Sequence, residues 1–578
     1  MAISAAAFRA SWAGLASLLA PSFAFAQAQT AVYSDLDRVH PVHAEHGIVA
    51  TQEATATRIG LEVLQGGGNA VDAAASIGFA LAVTLPSAGN LGGGGFMVVH
   101  DAASGETVAI DYREKSGGAA FRDMFLDEAG EAGPEKSRFS GLAIGVPGTV
   151  AGMALALERY GTISLAEALA PAIELAAQGI AVTPDLAQSL ENAKERLQKW
   201  PSSAAVFYKD GGAPYEPGET LVQRDLAWSL EQIAEEGPEA FYGGPIAERI
   251  VAEVRRAGGH LSLDDFRAYE AVVREPVRGD YRGFEIVSMP PPSSGGVHIV
   301  QILNILEGYP IGFLGAGGAE TIHLMAEAMK LAYADRSEYL GDPDFVDVPV
   351  GTLTSKAYAE HLRGLINRNR ARPAAEIKPG DLALYESPET THFAIVDAAG
   401  NAVANTYTIN FSYGTGLVAE GTGILLNNEL DDFSAKPGVP NAYGLTGGDA
   451  NAVAPDKRPL SSMSPTIVLQ DGRPFLVTGS PGGPRIITTT LQVIMNVIDH
   501  GMNIAEATFA PRVHHQWLPD ELRIEEGLSP DTVRLLEQMG HAISVEDAMG
   551  STQSIMVTEN GLSGSSDPRR PGALTLGY

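Results

Sequence analysis

The stretch that decides the fold is residues 390–411, TTHFAIVDAAGNAVANTYTINF. Apolar and β-branched residues dominate positions 392–396 and 402–411, and Gly400-Asn401 lies in the turn between them. Such a pattern is typical of a β-hairpin. We therefore expect an antiparallel pair of strands that begins directly after Thr390.

The segment before this hairpin has a different character. Residues 368–389 show little periodicity and contain several prolines, which predicts an extended, exposed stretch that ends at Glu389. If the Glu389–Thr390 bond is cut, the new α-amino group has a pKa of about 7.7–8.0. That amine can take the proton of its own hydroxyl, so Thr390 alone supplies nucleophile and base. The alternative is the ordinary preference of threonine for strands.

Helices and strands alternate along the remaining chain. A second hairpin is predicted at 96–100 and 107–111, and the region 149–260 is predicted to be mostly helical. The other predicted helices are 70–83, 150–160, 165–177, 184–200, 298–306, 319–339, 486–500 and 530–539, and the other predicted strands are 424–426, 466–470, 474–478 and 553–557.

Composition excludes several classes of function. Of the 578 residues, 45% are apolar, which is enough for a large buried core. The net charge of −31 disfavours nucleic acid or anionic lipid as a partner. Cysteine is absent from the sequence. Disulfides, thiolate catalysis and cysteine-based metal sites are therefore excluded.

The first 26 residues resemble a signal peptide. Arg9 precedes an apolar run at 13–19, and Ala24-Phe25-Ala26 fits the small-x-small cleavage pattern, with Ala26-Gln27-Ala28 as an alternative. A membrane anchor is the rival interpretation, but the run is short and rich in alanine and serine. We expect a periplasmic or secreted protein without a membrane anchor after cleavage.

Six ordered motifs carry a family resemblance. Residues 389–393, Glu389-Thr390-Thr391-His392-Phe393, resemble the cleavage site of γ-glutamyltranspeptidases, which belong to the N-terminal-nucleophile hydrolases. The other matching segments are 111–114 (DYRE), 406–410 (TYTIN), 426–433 (LNNELDDF), 459–465 (PLSSMSP) and 479–483 (GSPGG). The resemblance runs from about residue 35 to the C-terminus.

The resemblance implies an α+β fold, a four-layer αββα sandwich with two stacked antiparallel sheets between helical layers. It also implies a precursor that cuts itself once between Glu389 and Thr390. The expected parts are a signal peptide (1–26), a large subunit (27–389) and a small subunit (390–578) that stay together.

The family's catalytic roles fall on four residues. Thr390 is the implied nucleophile, and Thr408 on the second strand orients it; a plain cross-strand threonine pair is the alternative. The N–H groups of Gly482 and Gly483 are the implied oxyanion hole. The alternative for the glycines is a tight turn between a strand and a helix.

The implied substrate site is built for a zwitterion. An arginine fork suits a carboxylate, and a cationic amine calls for acceptors. The implied ligands of the α-carboxylate are Arg113, Ser461 and Ser462, and those of the α-ammonium are Asn410, Glu429 and Asp432. Tyr443, in a glycine-containing loop at 436–448, is the implied lid residue. The alternatives are a surface salt bridge at Arg113, a solvated acidic turn at Asp432 and a loop without a gating role.

The expected reaction is cleavage of the γ-glutamyl amide of glutathione and related γ-glutamyl compounds. The acyl group passes through a Thr390 ester to water, or to acceptor amino acids or dipeptides. No metal or organic cofactor is required. Residues 92–95 lack the lysine of a phosphate loop, and His43, His46, His514 and His515 lack metal-ligand spacing. The rivals are a glutaryl or cephalosporin-type acylase, and a non-catalytic periplasmic amino-acid-binding protein.

Overall fold

The computed structural model describes residues 39–377, 390–436 and 447–578. Numbered along the chain, its strands are β1 (Val42–Ala44), β2 (Ile48–Thr51), β3 (Gly94–Asp101), β4 (Glu106–Tyr112), β5 (Ile180–Ala181), β6 (Thr220–Leu221), β7 (Val272–Arg274), β8 (Val277–Tyr281), β9 (Phe284–Ser288), β10 (Thr391–Val396), β11 (Ala402–Thr408), β12 (Val418–Ala419), β13 (Ile424–Leu425), β14 (Thr466–Gln470), β15 (Arg473–Thr478), β16 (Val513–His514), β17 (Leu522–Glu525), β18 (Ile543–Glu546), β19 (Gln553–Thr558), β20 (Gly561–Ser566) and β21 (Leu574–Gly577).

The helices carry most of the remaining chain. They are α1 (Ala54–Gln65), α2 (Ala70–Thr84), α3 (Pro134–Ser137), α4 (Thr149–Tyr160), α5 (Leu165–Gln178), α6 (Pro184–Asn192), α7 (Lys194–Gln198), α8 (Pro201–Phe207), α9 (Arg224–Glu236), α10 (Glu239–Tyr242), α11 (Pro245–Arg256), α12 (Leu263–Arg267), α13 (Gly295–Leu306), α14 (Ile311–Leu314), α15 (Ala319–Tyr339), α16 (Val350–Leu353), α17 (Lys356–Arg363), α18 (Arg485–Ile498), α19 (Ile504–Phe509) and α20 (Pro530–Gln538).

Two seven-stranded antiparallel sheets form the centre. The first has the order β1-β20-β19-β15-β14-β9-β8, and the second has the order β21-β2-β10-β11-β3-β4-β7. Both sheets combine strands from before and after residue 389. Strands on the two sides of that point are therefore hydrogen-bonded to each other in both sheets.

The alternation of β10 shows how the layers stack. Ala394 and Val396 pack between the two sheets, in a cluster with Ile467 and Val477 of the first sheet. Phe393 and the neighbours on its face pack against helices α1, α2, α4, α5 and α9. On the far side, α13, α15 and α18 cover the first sheet. The predicted four-layer αββα sandwich is confirmed.

The hairpin that defines the fold has the predicted turn. The Asp397 side chain accepts the N–H groups of Ala399 at 2.9 Å and Asn401 at 3.0 Å, and Gly400 adopts φ +90°, where a side chain is strained. The second strand ends at Thr408 rather than at 411, because the backbone at Asn410 turns to φ +72°.

One predicted helix is divided. The predicted 184–200 helix forms α6 and α7, which meet at Ala193, where the backbone leaves regular helical geometry at φ −91° and ψ −1°. Trp200 is extended, because the following Pro201 disfavours a helical residue before it. Among the described helices, none combines the length and the apolar character needed to span a bilayer.

Candidate active site

The β10–β11 hairpin brings Thr390 and Thr408 together. Thr391 is opposite Tyr407 in the register, so Thr390 and Thr408 meet at the open end of the hairpin. Their Oγ1 atoms are 3.5 Å apart, at the outer limit of a hydrogen bond. The Thr408 oxygen also accepts the Asn410 N–H at 2.8 Å, which fixes its position. Both threonines are buried.

Asparagine side chains fix the chain after β11. Asn410 Nδ2 donates to the Asn428 carbonyl at 2.9 Å. Asn427 Oδ1 accepts the Glu429 N–H at 3.0 Å. These bonds hold the short 3-10 turn Glu429–Asp432 over the end of the hairpin and bring its acidic side chains near Thr408.

Arg113 directly follows β4 and is fully buried. Its guanidinium group forms ion pairs with Glu429 and, at 2.5 Å, with Asp432. It also donates to the carbonyl oxygens of Pro459 at 3.2 Å and Leu460 at 3.3 Å. Arg113 thus links the second sheet, the acidic turn and the segment that leads to Ser461.

Three carboxyl groups surround this guanidinium. Burial raises the pKa of Glu114 to about 8 and raises the pKa values of Glu429 and Asp432, although Arg113 opposes each shift. Burial alone lowers the pKa of Arg113, but the carboxylates outweigh it and the net shift is upward. Both Glu114 oxygens and Glu429 Oε2 lack a hydrogen-bond partner among the described residues. Of these, Glu429 belongs to the cavity lining, where its Oε2 can contact a ligand ammonium group.

Two glycines connect the first sheet to α18. Gly482 has φ +132° and Gly483 has φ +55°, values that favour glycine. Within the described part of the chain, neither N–H donates a hydrogen bond. The N-terminus of α18, which begins at Arg485, adds partial positive charge beside them. An oxyanion hole requires available N–H donors of this kind.

A loop before α13 supports the two predicted serines. Ser294 donates to the Ser461 carbonyl through its N–H at 2.9 Å and through its Oγ at 2.8 Å. The Ser462 hydroxyl accepts a hydrogen bond from Arg336 at 3.1 Å. Both serines are buried.

These groups line one cavity of about 30 Å³, room for one or two water molecules. Nine of the eleven predicted site residues line it, and Gly482 directly precedes the lining residue Gly483. The lining is Arg113, Arg336, Thr390, Thr408, Asn410, Glu429, Asp432, Ser461, Ser462, Met463, Gly483, Pro484 and Ile486.

A family model described as Gamma-glutamyltranspeptidase matches residues 56–576. The chain belongs to the γ-glutamyltranspeptidase family. It is 59% identical over 544 residues to the glutathione hydrolase proenzyme of Escherichia coli (strain K12), which covers 94% of this chain and 93% of that protein. This degree of similarity identifies the protein as an enzyme of that family.

Solved structures show the same fold. A cephalosporin acylase from Bacillus halodurans aligns with a TM-score of 0.81 and 29% identity, over 95% of this chain and 98% of that chain. A chain of Helicobacter pylori γ-glutamyltranspeptidase aligns with a TM-score of 0.55 and 49% identity, over 56% of this chain and 93% of that chain. The γ-glutamyltranspeptidase family and the acylases thus share this architecture.

Several sequence predictions fall on residues outside the described part of the chain, and two of the histidines without metal-ligand spacing lie outside the cavity lining. Tyr443 and most of its loop, Glu389 and the signal peptide all lie outside the described residues. His514 bonds to Thr488 through its ring, away from the cavity. His43 bonds to Ser563 at the edge of the first sheet.

A buried polar cluster lies outside the cavity and has the composition of a metal site. Its members are His323, Glu327 and His541. However, His323 Nδ1 is 2.8 Å from His541 Nε2, and its Nε2 bonds to the Asn367 carbonyl. Glu327 is paired with Lys330. These ligand atoms therefore already have protein partners.

The sequence interpretation assigned no role to Arg336, which lines the cavity, or to three residues that contact lining residues. Glu114, Asn427 and Asn428 lay inside quoted motifs but received no role. Arg336 lies inside the predicted helix 319–339, which carries five other charged residues, so no signal in the sequence singles it out.

Proposed function

We propose that the chain is a self-cleaving precursor whose mature form hydrolyses or transfers the γ-glutamyl group of glutathione and related compounds. The cut lies between Glu389 and Thr390, and it leaves subunits 27–389 and 390–578. The observation that carries the proposal is the convergence of Thr390, Arg113 and the Glu429–Asp432 carboxyl groups on one buried cavity.

Maturation begins at the Thr390 hydroxyl. Its oxygen attacks the carbonyl carbon of Glu389, the C–N bond breaks, and the amine of Thr390 is released as an ester forms. Water then hydrolyses that ester. The hydroxyl is regenerated, and the free α-amine, with a pKa of about 7.7–8.0, becomes the base for later turnovers. Thr408 keeps the hydroxyl oriented.

The substrate binds by both charges of its glutamyl end. Arg113, Ser461 and Ser462 receive the α-carboxylate, since a guanidinium fork and two hydroxyls are donors. Glu429 and Asp432, with Asn410, receive the α-ammonium. Glu429 Oε2 has no hydrogen-bond partner among the described residues, which supports this assignment.

In the reaction, Thr390 Oγ1 attacks the γ-carbonyl carbon and its proton passes to the α-amine. The N–H groups of Gly482 and Gly483 stabilise the oxyanion; loss of one such donor typically costs about 10²–10³ in kcat. The leaving amine takes the proton, and a γ-glutamyl ester remains on Thr390. Water gives glutamate, and an amino acid or dipeptide gives a new γ-glutamyl amide.

A signal peptide and a lid residue complete the proposal. Residues 1–26 direct the chain to the periplasm or the medium and are then removed, and Tyr443 closes over the bound substrate. Mass spectrometry of the protein from the periplasmic fraction tests export, and a mature N-terminus near residue 27 is expected. Retention of residues 1–26 would contradict it.

A pair of anilides tests the substrate. γ-Glutamyl anilide carries the α-ammonium and α-carboxylate, whereas glutaryl anilide lacks the ammonium. Because Glu429 and Asp432 supply acceptor oxygens for that ammonium, we expect faster cleavage of the γ-glutamyl compound. Faster glutaryl cleavage would make the chain an acylase, and cleavage of neither compound would favour a binding protein.

A further inference from the structure

Arg336 is a second buried guanidinium in the cavity, and it lies on α15. Its Nε donates to Ser294 Oγ at 2.9 Å, and its Nη2 donates to Ser462 Oγ at 3.1 Å. In the described part of the chain it forms no ion pair, although it is only 5% exposed.

This arrangement differs from that of Arg113, which touches two carboxylates. Burial lowers the pKa of Arg336 to about 10, and it remains charged at neutral pH. Asp432 attracts Arg336 electrostatically but lies beyond ion-pair distance and is already paired with Arg113, so the cost of burying the Arg336 charge is only partly offset. A bound anion next to it would remove that cost.

The two serine contacts show how Arg336 acts. Because Ser462 Oγ accepts the guanidinium N–H, its own hydrogen is free to donate into the cavity. Ser294 Oγ likewise accepts from Arg336 and donates to the Ser461 carbonyl. One guanidinium therefore fixes the direction of the Ser462 hydroxyl and the position of the Ser461–Ser462 backbone.

We infer that Arg336 is a positioning residue that makes the site selective for acyl groups with an α-carboxylate. It holds Ser462 as a hydrogen-bond donor to that carboxylate and adds a second positive charge beside Arg113. The inference rests on the proposed function. It assigns to Arg336 a contribution to substrate choice, separate from the chemistry at Thr390.

Two substrates distinguish a loss of α-carboxylate recognition from a general loss of enzyme activity. γ-Glutamyl anilide has the α-carboxylate, and 4-aminobutyryl anilide has the same amide and amine without it. In R336Q we expect KM for γ-glutamyl anilide to rise about tenfold or more, as for loss of a charge-assisted hydrogen bond. The kcat for γ-glutamyl anilide and the kcat/KM for 4-aminobutyryl anilide should change less than about threefold.

A double-mutant cycle and a conservative variant sharpen the test. In an S462A background R336Q should have a smaller effect than in wild type, because the part that acts through the Ser462 hydroxyl is already lost and only the contribution of the charge remains. R336K, which keeps the charge, should fall between wild type and R336Q on γ-glutamyl anilide. If R336Q fails to fold, R336K in the same cycle decides the question.

The matched control is R363Q on α17. Arg363 donates to the carbonyl oxygens of Ile305 and Asn304 away from the cavity, so R363Q should lower Tm without changing the ratio of the two substrates. Equal losses on both substrates in R336Q, or additivity with S462A, would overturn the inference. Failure of the wild-type protein to cleave γ-glutamyl anilide would instead count against the proposed function.

Discussion

Two buried ion clusters in this protein contain similar groups but differ in balance. The closed cluster, as we call it, comprises Arg512, Asp567, Arg569 and Glu525. Asp567 lies between the two arginines, and Arg569 also pairs with Glu525 at 2.5 Å. Two cations face two carboxylates, and main-chain carbonyl and N–H groups occupy their remaining positions.

The cavity cluster comprises Arg113, Glu114, Glu429 and Asp432. Arg113 faces three carboxyl groups, Arg336 adds a second cation without an ion pair, and three carboxyl oxygens lack a partner among the described residues. Burial raises the pKa of each of its acids, whereas the two arginines of the closed cluster outweigh burial and lower the pKa of Asp567.

The difference separates stabilisation from binding. A balanced, fully bonded network fixes the fold, while an unbalanced one leaves polar capacity for a ligand. We therefore expect changes in the closed cluster to act on stability and changes in the cavity cluster to act mainly on activity.

The largest effect is expected from D567A. Removal of Asp567 leaves Arg512 buried without a carboxylate partner, so the free energy of unfolding should fall by about 3–5 kcal/mol. Denaturant unfolding measures this loss, with the exposed E559A as the control, expected within about 0.5 kcal/mol of wild type. Because the pKa of Asp567 is lowered in the fold, its stabilisation is present above the unfolded pKa and is lost as pH falls through the folded value. Equal losses in D567A and E559A would contradict the account.

R113K should have the next largest effect, on kinetics rather than on folding. Lysine keeps the charge but lacks the fork that spans the carboxylates and the substrate. We expect kcat/KM for γ-glutamyl anilide to fall about tenfold to a hundredfold, which corresponds to one charged hydrogen bond. The matched variant R569K should lower Tm and leave KM unchanged. A fall in Tm alone for R113K, together with a change in KM for R569K, would contradict the distinction between the two clusters.

The smallest effect is expected from E114Q. The pKa of Glu114 is raised to about 8 in the fold, so the unfolded chain releases this proton at lower pH than the folded chain does. Wild-type stability should therefore decline as pH rises from about 4.5 to 8, and E114Q should remove that part of the decline. Tm measured at pH 5 and pH 8 tests this, and a parallel pH dependence in both proteins would count against it.

The predictions from sequence agree best with the structure for elements that are defined by a local pattern of residues. The hairpin after Thr390 follows from alternation and a Gly-Asn turn, and the helix at 319–339 follows from its apolar positions. The contact between Arg336 and Ser462 depends instead on how α15 packs against a loop 126 residues away. Periodicity carries no information about such a pairing, and neither does a motif.

The direct ion pair between Arg113 and Asp432 could not be predicted from the sequence either. Residue type suggested an anion ligand at one position and a cation ligand at the other. Their contact at 2.5 Å depends on the asparagine-held turn that follows β13. Spacing along the chain could identify the groups but not their distance.

The central claim is that Thr390 becomes a chain terminus and acts as the nucleophile. A denaturing gel of the purified protein, with N-terminal sequencing of the smaller fragment, tests it most directly. We expect two fragments in wild type, the smaller beginning at Thr390, and one uncut, inactive chain in T390A. A single uncut band in active wild-type protein, or normal cleavage in T390A, would contradict the account.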